Sequence, residues 1–108
     1  MTEPFEILPL DDRGQDGRGA AFFFDPETIA WLGQVAEIHV VAIAPGKVRG
    51  NHQHRDRREV VFLRHDAAVE IAWRRASGKV EHERRSGPGA FLVRIVPPTL
   101  HAFKNASE

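Results

Sequence analysis

Two histidines and a carboxylate mark where this 108-residue chain could do chemistry. His52 and His54 stand two residues apart, and Glu59 follows five further on. In a strand, residues i and i+2 point to the same face, so both imidazoles can converge on one point while Gln53 faces away. Glu59 opens the run Glu59-Val60-Val61-Phe62-Leu63, in which Glu59, Val61 and Leu63 share a face. A carboxylate that leads an inward apolar face needs a partner, because burying it unpaired is very costly. A fourth donor lies near the end, where the turn Pro97-Pro98-Thr99-Leu100 delivers His101 onto the face of Phe103. The expected metal ligands are therefore His52, His54, Glu59 and His101. Such a set suits a divalent transition metal, zinc first, with iron, manganese or nickel also served by these donors.

The rest of the composition narrows the setting. A chain of this length fits one domain with one core. Lys+Arg and Asp+Glu both number 15, so the formal net charge is zero, which argues against a general binder of nucleic acid or of anionic membranes. There is no cysteine, hence neither a disulfide nor a thiolate ligand. No apolar run approaches the ~20 residues needed to span a membrane. The N-terminal residues Met1-Thr2-Glu3-Pro4 lack the basic and apolar regions of a signal peptide, so a cytoplasmic protein is expected.

Short strands punctuated by Gly/Pro turns supply the scaffold. Phe5 to Leu8 reads as an edge strand, Asp11 to Gly19 as a loop, and Ala20 to Phe24 as β-prone. Asp25 and Pro26 start a short helix, as N-cap and first helical residue, ending near Gly33. Gln34 to Ala44 is expected to form a long strand, turned by Pro45-Gly46 into the strand that carries the histidines. Strands then follow at Glu59–Arg64, Ala68–Arg74 (Val69, Ile71 and Trp73 inward), Val80–Arg84 and Phe91–Val96, with a last one after Pro97-Pro98. This pattern predicts an all-β sandwich or barrel. Residues 1–33 would form an N-terminal arm with the short helix, and residues 34–108 the core barrel.

With these residues in place, the chain resembles the cupin superfamily. The run Gly46, His52, His54, Glu59 follows the first cupin motif, whose closing glycine is here Asp66. His101 and Asn105 follow the second, after the Pro97-Pro98 turn. The resemblance implies a small single-domain cupin jelly-roll barrel, paired as a homodimer through sheet edges and N-terminal strands. Cupins usually carry one more strand after the position of Asn105, whereas only Ala106-Ser107-Glu108 follow here. Within the superfamily, Pro45-Gly46-Lys47-Val48-Arg49-Gly50-Asn51-His52-Gln53-His54 is similar to the Arg-Gly-Asn-His-x-His segment of sugar-nucleotide epimerase and isomerase cupins, above all the C-terminal cupin of a bifunctional capsular-polysaccharide enzyme. Asp12-Arg13-Gly14 resembles a tripeptide near the start of such enzymes. The resemblance implies a nucleotide-sugar substrate, with His52 as catalytic base and Arg49 in the substrate site. His52 cannot be both a metal ligand and a free base, and the chain has no tyrosine to act as general acid.

Two other functions fit the same donors: an iron-dependent oxygenase, and a cupin that binds or senses a small molecule without catalysis. Among the remaining residues, His39, His65 and His82 lack the motif spacing and read as surface or structural. The doublets Arg57-Arg58, Arg74-Arg75 and Arg84-Arg85 read as solvated strand faces and turns, and Trp31 and Trp73 as core or interface. Arg49 should face away from His52 unless the strand bends at Gly50, since glycine inside a strand often marks a bend or bulge.

Overall fold

Alternating apolar and polar residues build two antiparallel sheets and one helix in the computed structural model, which describes residues 3–12, 16–38, 40–52 and 56–107. In chain order the elements are β1 (Phe5–Leu8), β2 (Asp11–Asp12), β3 (Phe22–Phe23), α1 (Pro26–Leu32), β4 (Val48–His52), β5 (Glu59–His65), β6 (Val69–Arg74), β7 (Val80–Arg85), β8 (Gly89–Ile95) and β9 (His101–Asn105). The first sheet has the order β1-β8-β5 and the second β4-β9-β6-β7, while β2 and β3 make a small ribbon of their own. Among the described residues the sheets do not close into a barrel.

The core lies between the two sheets. Phe5, Phe91, Val93 and Ile95 enter it from the first sheet, and Val69, Ile71 and Phe103 from the second. Ile7, Val61, Leu63, Trp73 and Ile43 pack around them. Each such side chain contributes about 1.5–3 kcal/mol when fully withdrawn from water. Register confirms the faces: Glu59 pairs with Ile95, Val61 with Val93, Trp73 with His101 and Ile71 with Phe103. Paired residues of an antiparallel ladder share a face, so Glu59 and His101 both stand on the core side of their sheets. The core draws on the N-terminal residues too, since Phe5 is buried and stacks on Trp73 at 4.9 Å between ring centroids.

A second layer covers the back of the first sheet. Phe22 and Phe24 lie against Phe62 of β5, which points away from the core. Helix α1 starts at Pro26 after Asp25 and ends at Gly33, whose positive φ of 73° suits glycine. Arg94, on the outward side of β8, fastens the helix: its Nη2 donates to the Thr28 hydroxyl at 2.6 Å, and its guanidinium lies 5.6 Å from the Trp31 ring centre. Arg58 covers the same ring from 5.1 Å and donates to the Trp31 carbonyl.

One expected element is absent. Residues 34–44 form no strand among the described residues, and Val35, Ile38, Val40 and Val41 are exposed. High β-propensity does not make a strand without a neighbour to supply hydrogen bonds and a covered face. The segment is tied at its ends instead, by Arg57 to Glu37 (3.3 Å) and by the Asn105 amide donating to the Ile43 carbonyl (2.7 Å). A smaller difference is that the stretch expected to be a loop at 11–19 opens with the two-residue strand β2.

Candidate functional site

His101 opens β9, and the turn before it fixes its ring. The Thr99 hydroxyl donates to the Val96 carbonyl, which holds the turn around the cis Pro97-Pro98 bond. The Thr99 carbonyl then accepts from His101 Nδ1 at 2.9 Å. The ring is buried, braced by Phe5 at 6.0 Å and edge-on by Phe103 at 5.9 Å between centroids. With its proton on Nδ1, a neutral imidazole turns the Nε2 lone pair toward the gap between the sheets.

Glu59 meets that nitrogen. Its Oε1 lies 3.7 Å from His101 Nε2, and its side chain is 26% exposed, so the pair opens to solvent on the glutamate side. A backbone carbonyl holding one ring nitrogen is a contact that metal-ligating histidines make, and it leaves Nε2 as the ring atom that faces Glu59. Both predicted donors that the structure describes in full are thus together, on facing strands of opposite sheets.

The third element is β4, which runs beside β9. Gly50 has φ of 82°, and the register shifts between Asn51 and His52, so that both oppose His101. A side chain at Gly50 would lie 3.5 Å from the Phe103 ring and 3.6 Å from the His101 ring, ordinary contact distances, so it is the positive φ that calls for glycine here. This is the bend anticipated from the sequence. Arg49 pairs in register with the inward-facing Phe103, and the bulge then brings His52 into step with the inward-facing His101. Arg49 is exposed, and among the described residues it has no ion pair. His54 and the His52 side chain lie outside the described residues, as do Arg13, Gly14 and His39. Among the described residues alone, no three metal-type donors converge.

Asn105, matched to the second motif, turns out to be a clamp. Its amide nitrogen holds Ile43, and its carbonyl oxygen accepts from the Ser107 backbone N–H and hydroxyl. His65 hydrogen-bonds the Ala67 carbonyl and abuts Gly89 and Phe91, while His82 is exposed on the outer face of β7. A cavity of about 160 Å³ is lined by Ala72, Trp73, Arg74, Val80, Leu100, His101 and Ala102, along β6, the start of β7 and the start of β9.

Sequence reasoning missed Thr99, whose contribution is a main-chain carbonyl that no residue type announces. It also missed Phe5, which braces His101 from the far end of the chain. Compared with family models, with curated proteins and with solved structures, the chain matches none. Among the described residues, no helix is long and apolar enough to cross a membrane.

Proposed function

We propose that this chain is a small metal-binding cupin whose cleft isomerises or epimerises a keto-sugar carried on a nucleotide. The observation that carries the metal is the pair His101–Glu59, one imidazole tautomer facing one carboxylate at 3.7 Å. The bulge after Gly50 supports a base beside that pair, because it sets the backbone of His52 in register with His101. The sugar-nucleotide part rests on the resemblance of residues 45–54, with Arg49 on the inward register of β4.

A divalent cation held there would supply electrostatic stabilisation to the oxyanion that develops on the carbonyl oxygen. The residues do the rest. His101, restrained through Nδ1, offers Nε2 without rotating, so little order has to be created on binding. Arg49 offers a planar two-pronged donor to a diphosphate or a sugar carboxylate. His52 acts as the base where His54, Glu59 and His101 hold the metal. With no tyrosine available as a separate acid, one base that takes the proton and returns it to the neighbouring carbon on the same face gives isomerisation, whereas epimerisation needs a second proton donor on the opposite face of the enolate.

The test is calorimetric binding of nucleotide-diphosphate sugars to the zinc-loaded wild type and to Arg49→Ala, alongside elemental analysis of the purified protein. Weaker binding by the variant is the expected result. Equal affinity, or no binding by either protein, refutes the sugar-nucleotide reading, and iron in place of zinc turns the assignment toward oxygenase chemistry.

A further inference from the structure

We propose that the second sheet carries a ligand site of its own on its outward face, a shallow cavity that takes a small aromatic carboxylate. The inference does not rest on what the cleft between the sheets binds. Ala72, Arg74, Val80 and Ala102 line this cavity, and their side chains face away from the core. The register sets that direction: Ala72 pairs with Ala102 and Arg74 with Val80, in alternation with the inward Ile71, Trp73 and Phe103. Leu100 stands beside Arg74, whose backbone N–H donates to the Leu100 carbonyl at 3.1 Å. Trp73 and His101, which lie between these residues in sequence, complete the lining.

Small residues make the depression. At Ala72 and Ala102 two methyl groups meet across the strands, while Leu100, Arg74 and Val80 stand higher in the next row. A sheet floored by alanine is flat, and its strands lie about 4.8 Å apart, so the floor suits a planar ring laid across β9 and β6. The volume of about 160 Å³ is on the order of an apolar protein cavity that takes up benzene, so one six-membered ring fills it. Val80 is 45% exposed and Leu100 half-buried, and both offer apolar walls that such a ring would cover.

Charge selects the substituent on the ring. Arg74 is exposed and makes no ion pair among the described residues, whereas its neighbour Arg75 is held by Glu3 at 3.0 Å and by Glu81 at 3.6 Å. Arg84 and Lys104 share the outward face with Arg74, and against them stands Glu70, already paired with Arg84 at 2.7 Å. The face is therefore positive on balance. A guanidinium at the rim of an apolar hollow fits a carboxylate, because two parallel N–H donors match its two oxygens and the apolar wall keeps out water that would weaken them. Arg74 follows Ala72 by two residues, about 6.7 Å along the strand, so a ring above Ala72 carries a directly attached carboxylate toward it. A neutral ring would leave Arg74 unused, and an anion without a ring would leave the hollow unfilled, so the class that fits is an aryl carboxylate.

The experiment is titration of the full chain with benzoate, followed by NMR through the methyl groups of Ala72, Val80, Leu100 and Ala102. Wild type, Arg74→Gln and Ala72→Leu are compared, with benzamide as the neutral ring and acetate as the anion without a ring. The wild type should saturate on the order of 1 mM benzoate, with nuclear Overhauser contacts from the ring protons to those methyls. Arg74→Gln, and benzamide in place of benzoate, should each weaken binding by at least about tenfold. Acetate should not saturate, and Ala72→Leu should fill the hollow and abolish binding. Because Arg74 is exposed, Arg74→Gln removes no packing and remains readable even where Ala72→Leu fails to fold. No saturation of the wild type up to about 20 mM, ring contacts only to inward residues such as Glu59, indifference to Arg74→Gln, or benzamide binding as well as benzoate overturns the proposal. Shifts of the same methyls with protein concentration alone would overturn it in favour of a second copy of the chain on this face.

Discussion

Replacing Phe5 with alanine tests whether the first strand truly closes the core over the site. Phe5 is 3% exposed, stacks on Trp73 at 4.9 Å, and lies 6.0 Å from His101 and 6.4 Å from Phe103. Large-to-small substitution of a buried phenylalanine costs about 3–5 kcal/mol. Two features bear on where Phe5 falls. Strand β1 is an edge strand paired only with β8, so the hole can partly collapse, which pulls the figure down. The stacked pair with Trp73 is worth about 0.5–1.5 kcal/mol beyond its area, which pulls it up. The expected loss is about 4 kcal/mol, a large part of the roughly 5–15 kcal/mol that holds a domain folded. Urea unfolding would measure it, with an unchanged slope against denaturant showing that compactness is preserved. A double-mutant cycle with Trp73→Ala should return a coupling of about 1 kcal/mol, because the two rings touch. A loss below about 1.5 kcal/mol would refute the reasoning, since it would mean that β1 does not seal the gap between the sheets.

The other expectations are local. Zinc at a hundredfold excess over its dissociation constant should stabilise the wild type by roughly 3 kcal/mol, and His101→Ala should abolish that gain, as read by melting with and without chelator. Metal binding should weaken as pH falls below about 6.5, because imidazole must be neutral to coordinate, and calorimetry across pH would show it. Asn105→Ala removes the donor to the Ile43 carbonyl and the acceptor for Ser107, and should cost about 1–3 kcal/mol in urea unfolding. Thr28→Val keeps the shape but takes away the acceptor of Arg94, whose Nε is already buried without a partner among the described residues, and should cost a similar 1–3 kcal/mol or so in thermal melts. Gly50→Ala forces a side chain into a left-handed backbone, a strain of about 1–2 kcal/mol, so the melting temperature should drop, as thermal melts would show.

Strand faces were legible in the sequence wherever a period-two pattern decided burial. Glu59, Val61 and Leu63, then Val69, Ile71 and Trp73, and finally His101 with Phe103, all point where alternation put them. The helix start was legible too, because Asp25 and Pro26 act through local geometry. Residues 34–44 were misread for the opposite reason. Propensity speaks of one chain segment, whereas a strand is a property of two, and this segment finds no second one within the described residues. Of the four candidate donors, Glu59 and His101 are the two whose side chains are described, and they lie 3.7 Å apart. Donor types and spacing pointed to Glu59 and His101, but the orientation of His101 depends on a main-chain carbonyl at Thr99 and a ring at Phe5, neither of which residue spacing reveals. The bulge lay between these cases: Gly50 announced that β4 could bend, and only the register with β9 showed that it does.

The pairing of β1 with β8 also has a consequence for how the chain is made. Phe5 stands opposite Ile95, so β1 has to wait for its partner until the strands between them have been made. Until then Phe5 and Ile7 have no ladder to join, and Trp73 lacks the ring that stacks on it. Ladders closed over such long sequence separations form slowly, on the scale of milliseconds to seconds rather than microseconds. Synthesis therefore passes through a stage in which only the β6–β7 pair of the second sheet can form, because β9, which joins β4 to β6, is made after β8. A chaperone that recognises exposed aromatic residues would find its target at the N-terminal strand during that interval.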